Sequence, residues 1–161
     1  MKILLAIDGS PCSDKAVAEV ARRPWPQGSS VKVLTAFEVQ APPSPEGWAL
    51  PLNYFEELDT ALRKQGKNIV DQALDKLKIN KTITVDAVLV PGPPRPVILE
   101  EAEGWGADLI VLGSHGYSVW QRLLLGSVSQ AVVSHAKCSV EVVRCPVAKE
   151  SSEAKSSKKK E

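Results

Sequence analysis

Asp108-Leu109-Ile110-Val111-Leu112-Gly113-Ser114-His115-Gly116, with Gly126-Ser127 following after nine residues, is the stretch that decides the fold. A short, continuous apolar run bounded by glycine predicts a parallel strand buried on both faces. The apolar spacing of Val128, Ala131 and Val132 after Gly126 predicts a helix, with Ser127 as its cap. Strand, glycine-rich loop and helix in that order gather backbone N–H groups at one point and favour a phosphate there. Glycines suit such a loop because side chains would hold an anion off the backbone, and because a positive φ is expected somewhere within it. The spacing is neither of the two commonest phosphate motifs. No Lys follows Gly126, as a Walker A loop requires, and G-x-G-x-x-G is absent. A long surface loop with turn glycines is the competing reading at this point.

Outward from this junction the same alternation repeats. Residues 2–7 form an apolar run ended by Asp8-Gly9-Ser10-Pro11, which predicts a central strand followed by a capped helix over 11–23. Residues 31–39 read as a second strand and 54–78 as a long helix with Leu58, Leu62, Ile69, Ala73 and Leu77 on one face. Between them, 40–52 holds four prolines and reads as an irregular excursion. Residues 82–90 alternate apolar and polar, which predicts an edge strand. The cluster Pro93-Pro94-Arg95-Pro96 opens a helix with Val97, Ile98, Ala102 and Trp105 inward, and 139–144 forms the last strand. Five strands separated by four helices predict an α/β fold, a three-layer α/β/α sandwich around a five-stranded parallel sheet. In such Rossmann-like sheets ligands bind beyond the carboxyl ends of the strands, where the strand order reverses. Asp8 and Gly113 both fall at strand ends, so two separate signals point to one crevice.

The bulk properties narrow the function. A chain of 161 residues predicts one domain. Lys and Arg total 20 and Asp and Glu 19, and removing the segment from Glu150 leaves a neutral body, which gives no footprint for nucleic acid. No apolar run reaches the length of a membrane span, and the opening residues are too short for a signal peptide, so a cytoplasmic location is expected. Residues 147–161, rich in Lys, Ser and Glu, are expected to be a disordered tail to a folded domain over 1–146. Cys12, Cys138 and Cys145 have unrelated spacings; no metal site is expected from them, and they are read as inert thiols in a reducing compartment.

Taken together, the residues resemble the universal stress protein family. The resemblance spans residues 1 to about 146 and rests on the opening Ile3-Leu4-Leu5-Ala6-Ile7-Asp8-Gly9-Ser10, the run from Trp105 to Gly116, Leu123 to Ser129, and the ending Cys138 to Arg144. Gly113, Gly116, Gly126 and Ser127 match the G-x2-G-x9-G-[ST] signature of its ATP-binding branch. The resemblance implies the strand order 3-2-1-4-5 and a homodimer paired through the last strand, 139–144. It implies that Asp8 accepts hydrogen bonds from a ribose and that the chain near Phe37 meets the adenine edge. It implies that Gly113 and Gly116 let the backbone approach the phosphates, and that Gly126, Ser127, Val128 and Ser129 hold them. Ala6, Ile7, Leu112 and His115 complete the implied nucleotide site. Tyr117 stands where relatives often carry a basic residue, and Val119-Trp120 is bulkier than common versions; the lower positive charge weighs against tight triphosphate binding, so AMP or ADP would suffice, with Arg122 as a candidate cationic partner. Mg²⁺ is compatible as the nucleotide's counter-ion, and no residue is assigned to a metal.

The expected function is a nucleotide-binding regulator of the stress response, with an unidentified protein partner. A chaperone-like or interaction module that uses nucleotide structurally is the alternative. An enzyme is not expected: the loop offers no Lys and no evident base, no catalytic residue is assigned, and slow ATP hydrolysis is the most these residues offer.

Overall fold

The computed structural model describes residues 1–39, 53–116 and 125–145. The excursion 40–52, the tail 147–161, and Tyr117, Val119, Trp120 and Arg122 lie outside the described residues. The elements run β1 (Lys2–Ala6), α1 (Pro11–Arg22), β2 (Ser29–Phe37), α2 (Tyr54–Leu77), β3 (Ile83–Pro91), α3 (Pro94–Trp105), β4 (Leu109–Gly113), α4 (Ser127–His135) and β5 (Ser139–Val143). The five strands form one parallel sheet in the order β3-β2-β1-β4-β5, as the resemblance implied. The chain crosses from the β3 edge to β4, so the order reverses between β1 and β4, where Ala6 pairs with Leu112.

Strand alternation divides the core into two layers. Ile3, Leu5, Ile7, Val31 and Val33 face α1 and α2, packing on Ala16, Val17, Val20, Ala73 and Leu77. Leu4, Ala6, Leu34, Ile110 and Leu112 face α3 and α4, packing on Val97, Ile98, Ala102 and Val132. Leu4 and Leu5 are both wholly buried, on opposite faces of one strand. Each contributes about 2 kcal/mol through its removal from water. This two-sided burial holds the two crevice-forming strand ends rigidly in register.

Local chemistry sets the ends of the helices. Ser10 caps α1, and Pro11 occupies its first position, where an N–H is not needed. Gly106 closes α3 in the left-handed region, at φ 68°, where a Cβ would be strained. Gly126, not Ser127, stands at the cap position of α4, and Ser127 is its first helical residue. The alternating β3 is indeed an edge strand, with half-exposed or exposed side chains along its length. Gly66 sits inside α2 because a Cβ there would lie 2.5 Å from Leu89 Cδ1 of β3; the close packing offsets about 1 kcal/mol of lost helix propensity.

One expectation fails plainly. Cys12 and Cys145 are joined as a disulfide across a sequence separation of 133 residues, and only Cys138 is a free thiol. The reading as inert thiols rested on local spacing, and these two residues meet only through the order of the sheet, which brings the end of β5 beside the start of α1.

Candidate nucleotide site

Two strand–turn–helix junctions build the site. After β1, the Ile7 N–H still donates to Leu34 O at 2.9 Å. The chain then turns through Gly9, whose φ of 80° favours glycine. Asp8 Oδ1 accepts the Ser10 N–H at 2.9 Å, and Ser13 Oγ accepts the Asp8 N–H at 3.2 Å. Ser10 Oγ accepts the Ser13 N–H at 3.3 Å and donates to His115 O at 3.2 Å. The junction is thus closed by its own side chains and fastened to the neighbouring one.

After β4, Ser114 carries the ladder one step further by donating its N–H to Val143 O at 2.8 Å. Ser114 O then accepts both the Gly126 N–H at 2.8 Å and the Ser129 hydroxyl at 2.9 Å, which pins the start of α4 to the end of β4. His115 Nδ1 lies 3.1 Å from Ser114 Oγ. Gly126 supplies no side-chain cap, and the N–H groups of Ser127, Val128 and Ser129 meet no acceptor among the described residues. Three open donors at the positive end of a helix are an arrangement that favours an anion.

The glycines serve close approach, and the positive φ expected among them is not found: Gly113, Gly116 and Gly126 all lie outside the left-handed region. A Cβ on Gly113 would stand 2.7 Å from the Cys12 carbonyl carbon and 2.8 Å from the Ser13 nitrogen. One on Gly116 would stand 2.6 Å from Asp8 Oδ2, and one on Gly126 3.2 Å from Ser114 O. Gly113 therefore lets β4 lie against the first turn of α1, a role the phosphate reading did not foresee.

Between the junctions opens a cavity of about 550 Å³, within the range of small-molecule sites. Asp8, His115, Gly116, Gly126, Ser127, Val128 and Ser129 line it, with Ala6, Ile7, Leu112 and Gly113 at its floor. Ser13 and the apolar Leu34, Ala36, Pro94 and Ile98 line it as well, and sequence reasoning missed all five. Phe37 is not among the lining residues. Its carbonyl accepts the Gly92 N–H at 2.8 Å, and its ring lies under the Arg63 guanidinium of α2. Leu34 and Ala36 face α3 and the cavity, whereas the Phe37 side chain faces the other way. Two donors expected to face a ligand are also committed within the protein, the Gly126 N–H and the Ser129 hydroxyl, both to Ser114 O.

The cavity is polar at one end only. The start of α3 offers few donors, because Pro93, Pro94 and Pro96 lack N–H groups. Its apolar end is walled by Leu34, Ala36, Pro94 and Ile98; the other end presents the start of α4 and the exposed Asp8 carboxylate. An amphiphilic ligand with an anionic end and a flat apolar end fits this division.

The universal stress protein family matches residues 1–144. The chain belongs to that family. A universal stress protein of Thermus aquaticus is 35% identical over 142 residues, covering 88% of this chain and 97% of its own. Universal stress protein YxiE of Bacillus subtilis is 32% identical over 146 residues, covering 89% and 98%. Among solved structures, the hypothetical protein MJ0577 superposes with a TM-score of 0.76 at 26% identity, over 90% of this chain and 96% of its own. A universal stress protein solved in complex with cAMP gives 0.61 at 23% identity, over 89% and 96%. A family protein from Arabidopsis thaliana with AMP bound gives 0.60 at 17%, over 95% and 97%. Among the described residues, no helix is long and apolar enough to cross a membrane, and no cluster of His, Cys, Asp and Glu could hold a metal ion.

Proposed function

We propose that this universal stress protein binds an adenine nucleotide in the cavity and acts as a cytoplasmic regulator whose surface changes with occupancy. The observation that carries the reading is the uncapped start of α4, with three N–H groups opening into the cavity beside the Asp8 carboxylate. In this reading the phosphates take the N–H groups of Ser127, Val128 and Ser129 and the Ser127 hydroxyl. Asp8 Oδ2, which makes no hydrogen bond among the described residues, accepts from the ribose. The base lies between Leu34, Ala36 and Ile98. Relatives of the same fold solved with AMP and with cAMP support an adenine nucleotide. The signature shared with the ATP-binding branch extends the proposal to ATP, with Mg²⁺ as its counter-ion. Occupancy of the cavity would alter the surface that a partner reads.

Isothermal titration with ATP, ADP and AMP tests the proposal. Saturable heat with at least one of them is expected, and none with ribose; absence of binding at millimolar nucleotide removes the reading.

The homodimer belongs to the same proposal. Among the described residues β5 pairs only with β4, and its Val140, Val142 and Val143 are half-buried. Pairing with β5 of a second copy would cover its other edge with twofold symmetry. Light scattering at micromolar concentration should give twice the chain mass of 17.4 kDa.

A further inference from the structure

We propose that Cys12 and Cys145 are a reversible redox site, whose disulfide locks the nucleotide cavity in its binding geometry and whose reduction by a dithiol loosens it. The effect on affinity rests on the nucleotide reading above; the effect on the protein's own backbone does not.

The pair is placed to be attacked from one side. Cys12 is 4% exposed, whereas Cys145, beyond the end of β5, is half-buried and reachable. Attack at the Cys145 sulfur expels Cys12 as the leaving thiolate. That thiolate is stabilised in two ways. Cys12 is the second residue of α1, at the positive end of the helix. Its sulfur also accepts the Ser114 hydroxyl at 3.7 Å. A more stable leaving thiolate speeds exchange. Cys138 does not compete, since burial pushes its thiol up, and in a reducing compartment a disulfide is more often a redox element than a staple.

The same pair is wired to the cavity. Ser10 and Ser13 flank Cys12; the first holds His115 O and the second lines the cavity and accepts the Asp8 N–H. The Cys12 backbone packs on Gly113 with no room for a methyl group. Ser114, which donates to the Cys12 sulfur, is also the residue whose carbonyl holds the Gly126 N–H and the Ser129 hydroxyl. Covalent attachment of Cys12 to the end of β5 therefore fixes both walls of the anion site.

The chemistry balances with a dithiol of the thioredoxin class. One thiolate of the reductant attacks Cys145 Sγ, the Cys12–Cys145 bond breaks, and Cys12 leaves and takes up a proton. The second thiol of the reductant, deprotonated, attacks its partner sulfur in the mixed disulfide and releases Cys145, which takes up the second proton. Two electrons and two protons pass to the protein, and the reductant leaves as a disulfide. Oxidation is the reverse, with a protein disulfide as acceptor.

The test uses the full chain, folded, with and without dithiothreitol. Alkylation and intact-mass measurement should count one thiol before treatment and three after. Hydrogen exchange without nucleotide should quicken about tenfold on reduction at Ser114, Gly126 and Gln130, whose N–H groups are held by Val143 O, Ser114 O and Gly126 O. ATP affinity should fall about fivefold or more. Cys145→Ser should match the reduced protein in both conditions, and Cys138→Ser should respond like the wild type. Three thiols in the untreated protein, reduction only in denaturant, or exchange unchanged by reduction would each overturn the proposal. ATP binding equally in both states also overturns it and leaves the nucleotide reading standing. If none of ATP, ADP and AMP binds in either state, the nucleotide reading fails, and the exchange measurement still decides the redox lock.

Discussion

The turn after β1 and the turn after β4 occupy adjacent strands at the same end of the sheet, and each leads into a helix, yet they have opposite chemistry. At the first, Ser10 caps α1 with its own hydroxyl, Pro11 removes an N–H, and Asp8 closes the turn on Ser10. At the second, Gly126 leaves the first three N–H groups of α4 without an acceptor among the described residues. The first junction takes up most of its own donors and leaves the Asp8 carboxylate toward the cavity; the second leaves its donors open. Capping makes the difference, since a helix end whose N–H groups are taken by its own residues keeps its dipole but offers an outside ligand fewer donors.

Substitutions should separate the two roles. The largest effect is expected at the contact between the junctions. Gly113→Ala places a methyl group against the Cys12 and Ser13 backbone, which has no rotamer to yield. A loss of about 1–3 kcal/mol in urea unfolding is expected, and a loss near zero would show that the junctions are not in firm contact. Ser127→Pro should act in the opposite sense. Proline suits the first helical position, and Gly126 at φ −72° and ψ 162° accepts a following proline. Stability should hold while nucleotide affinity falls about tenfold, the worth of a charge-assisted hydrogen bond. A parallel fall in Tm would make α4 as self-contained as α1 and erase the distinction. Ser10→Ala removes the cap of α1 and its tie to His115 O, at a cost of about 1 kcal/mol or about 3 °C in Tm.

The smallest effect is expected at the far end of α1, where Arg23 makes paired hydrogen bonds of 2.6 and 2.7 Å to Glu141 of β5. The guanidinium holds the Glu141 carboxyl below its ordinary value. Because the folded value is the lower one, the stabilisation is present above the unfolded carboxylate range and is lost as pH falls through the folded value. Glu141→Gln should therefore cost under about 1 kcal/mol at neutral pH, the pair being about one-third exposed, and the gap to the wild type should close in acid. Nucleotide affinity should not change, which would confine the cavity's control to the other end of α1.

Much of the fold was legible because it depends on patterns local in the chain. The apolar runs at 2–7 and 108–112 could only be covered strands, the polar alternation at 82–90 marked an edge, and Ser10-Pro11 announced a helix start. The candidate cavity lining was legible where glycine and serine spacing carried it, at Asp8, Gly113, His115, Gly116 and from Gly126 to Ser129. It was illegible where faces mattered. Phe37 and Ala36 are neighbours on β2, and no local signal says which one looks into the crevice. Pro94 and Ile98 read as helix start and core, and Ser13 as an ordinary residue of α1; each lines the cavity only because α1 and α3 approach the sheet from opposite sides.

The succession of strands and helices along the chain and the apolar stripes of the helices were set by the sequence alone, because each depends on residues within a few positions of one another. The tertiary structure alone decided the partners that are distant in the chain: the disulfide between Cys12 and Cys145, the need for glycine at 113, and the commitment of the Gly126 N–H to Ser114 O. These follow from how closely two junctions pack when β4 lies beside β1, a distance set by the assembled sheet.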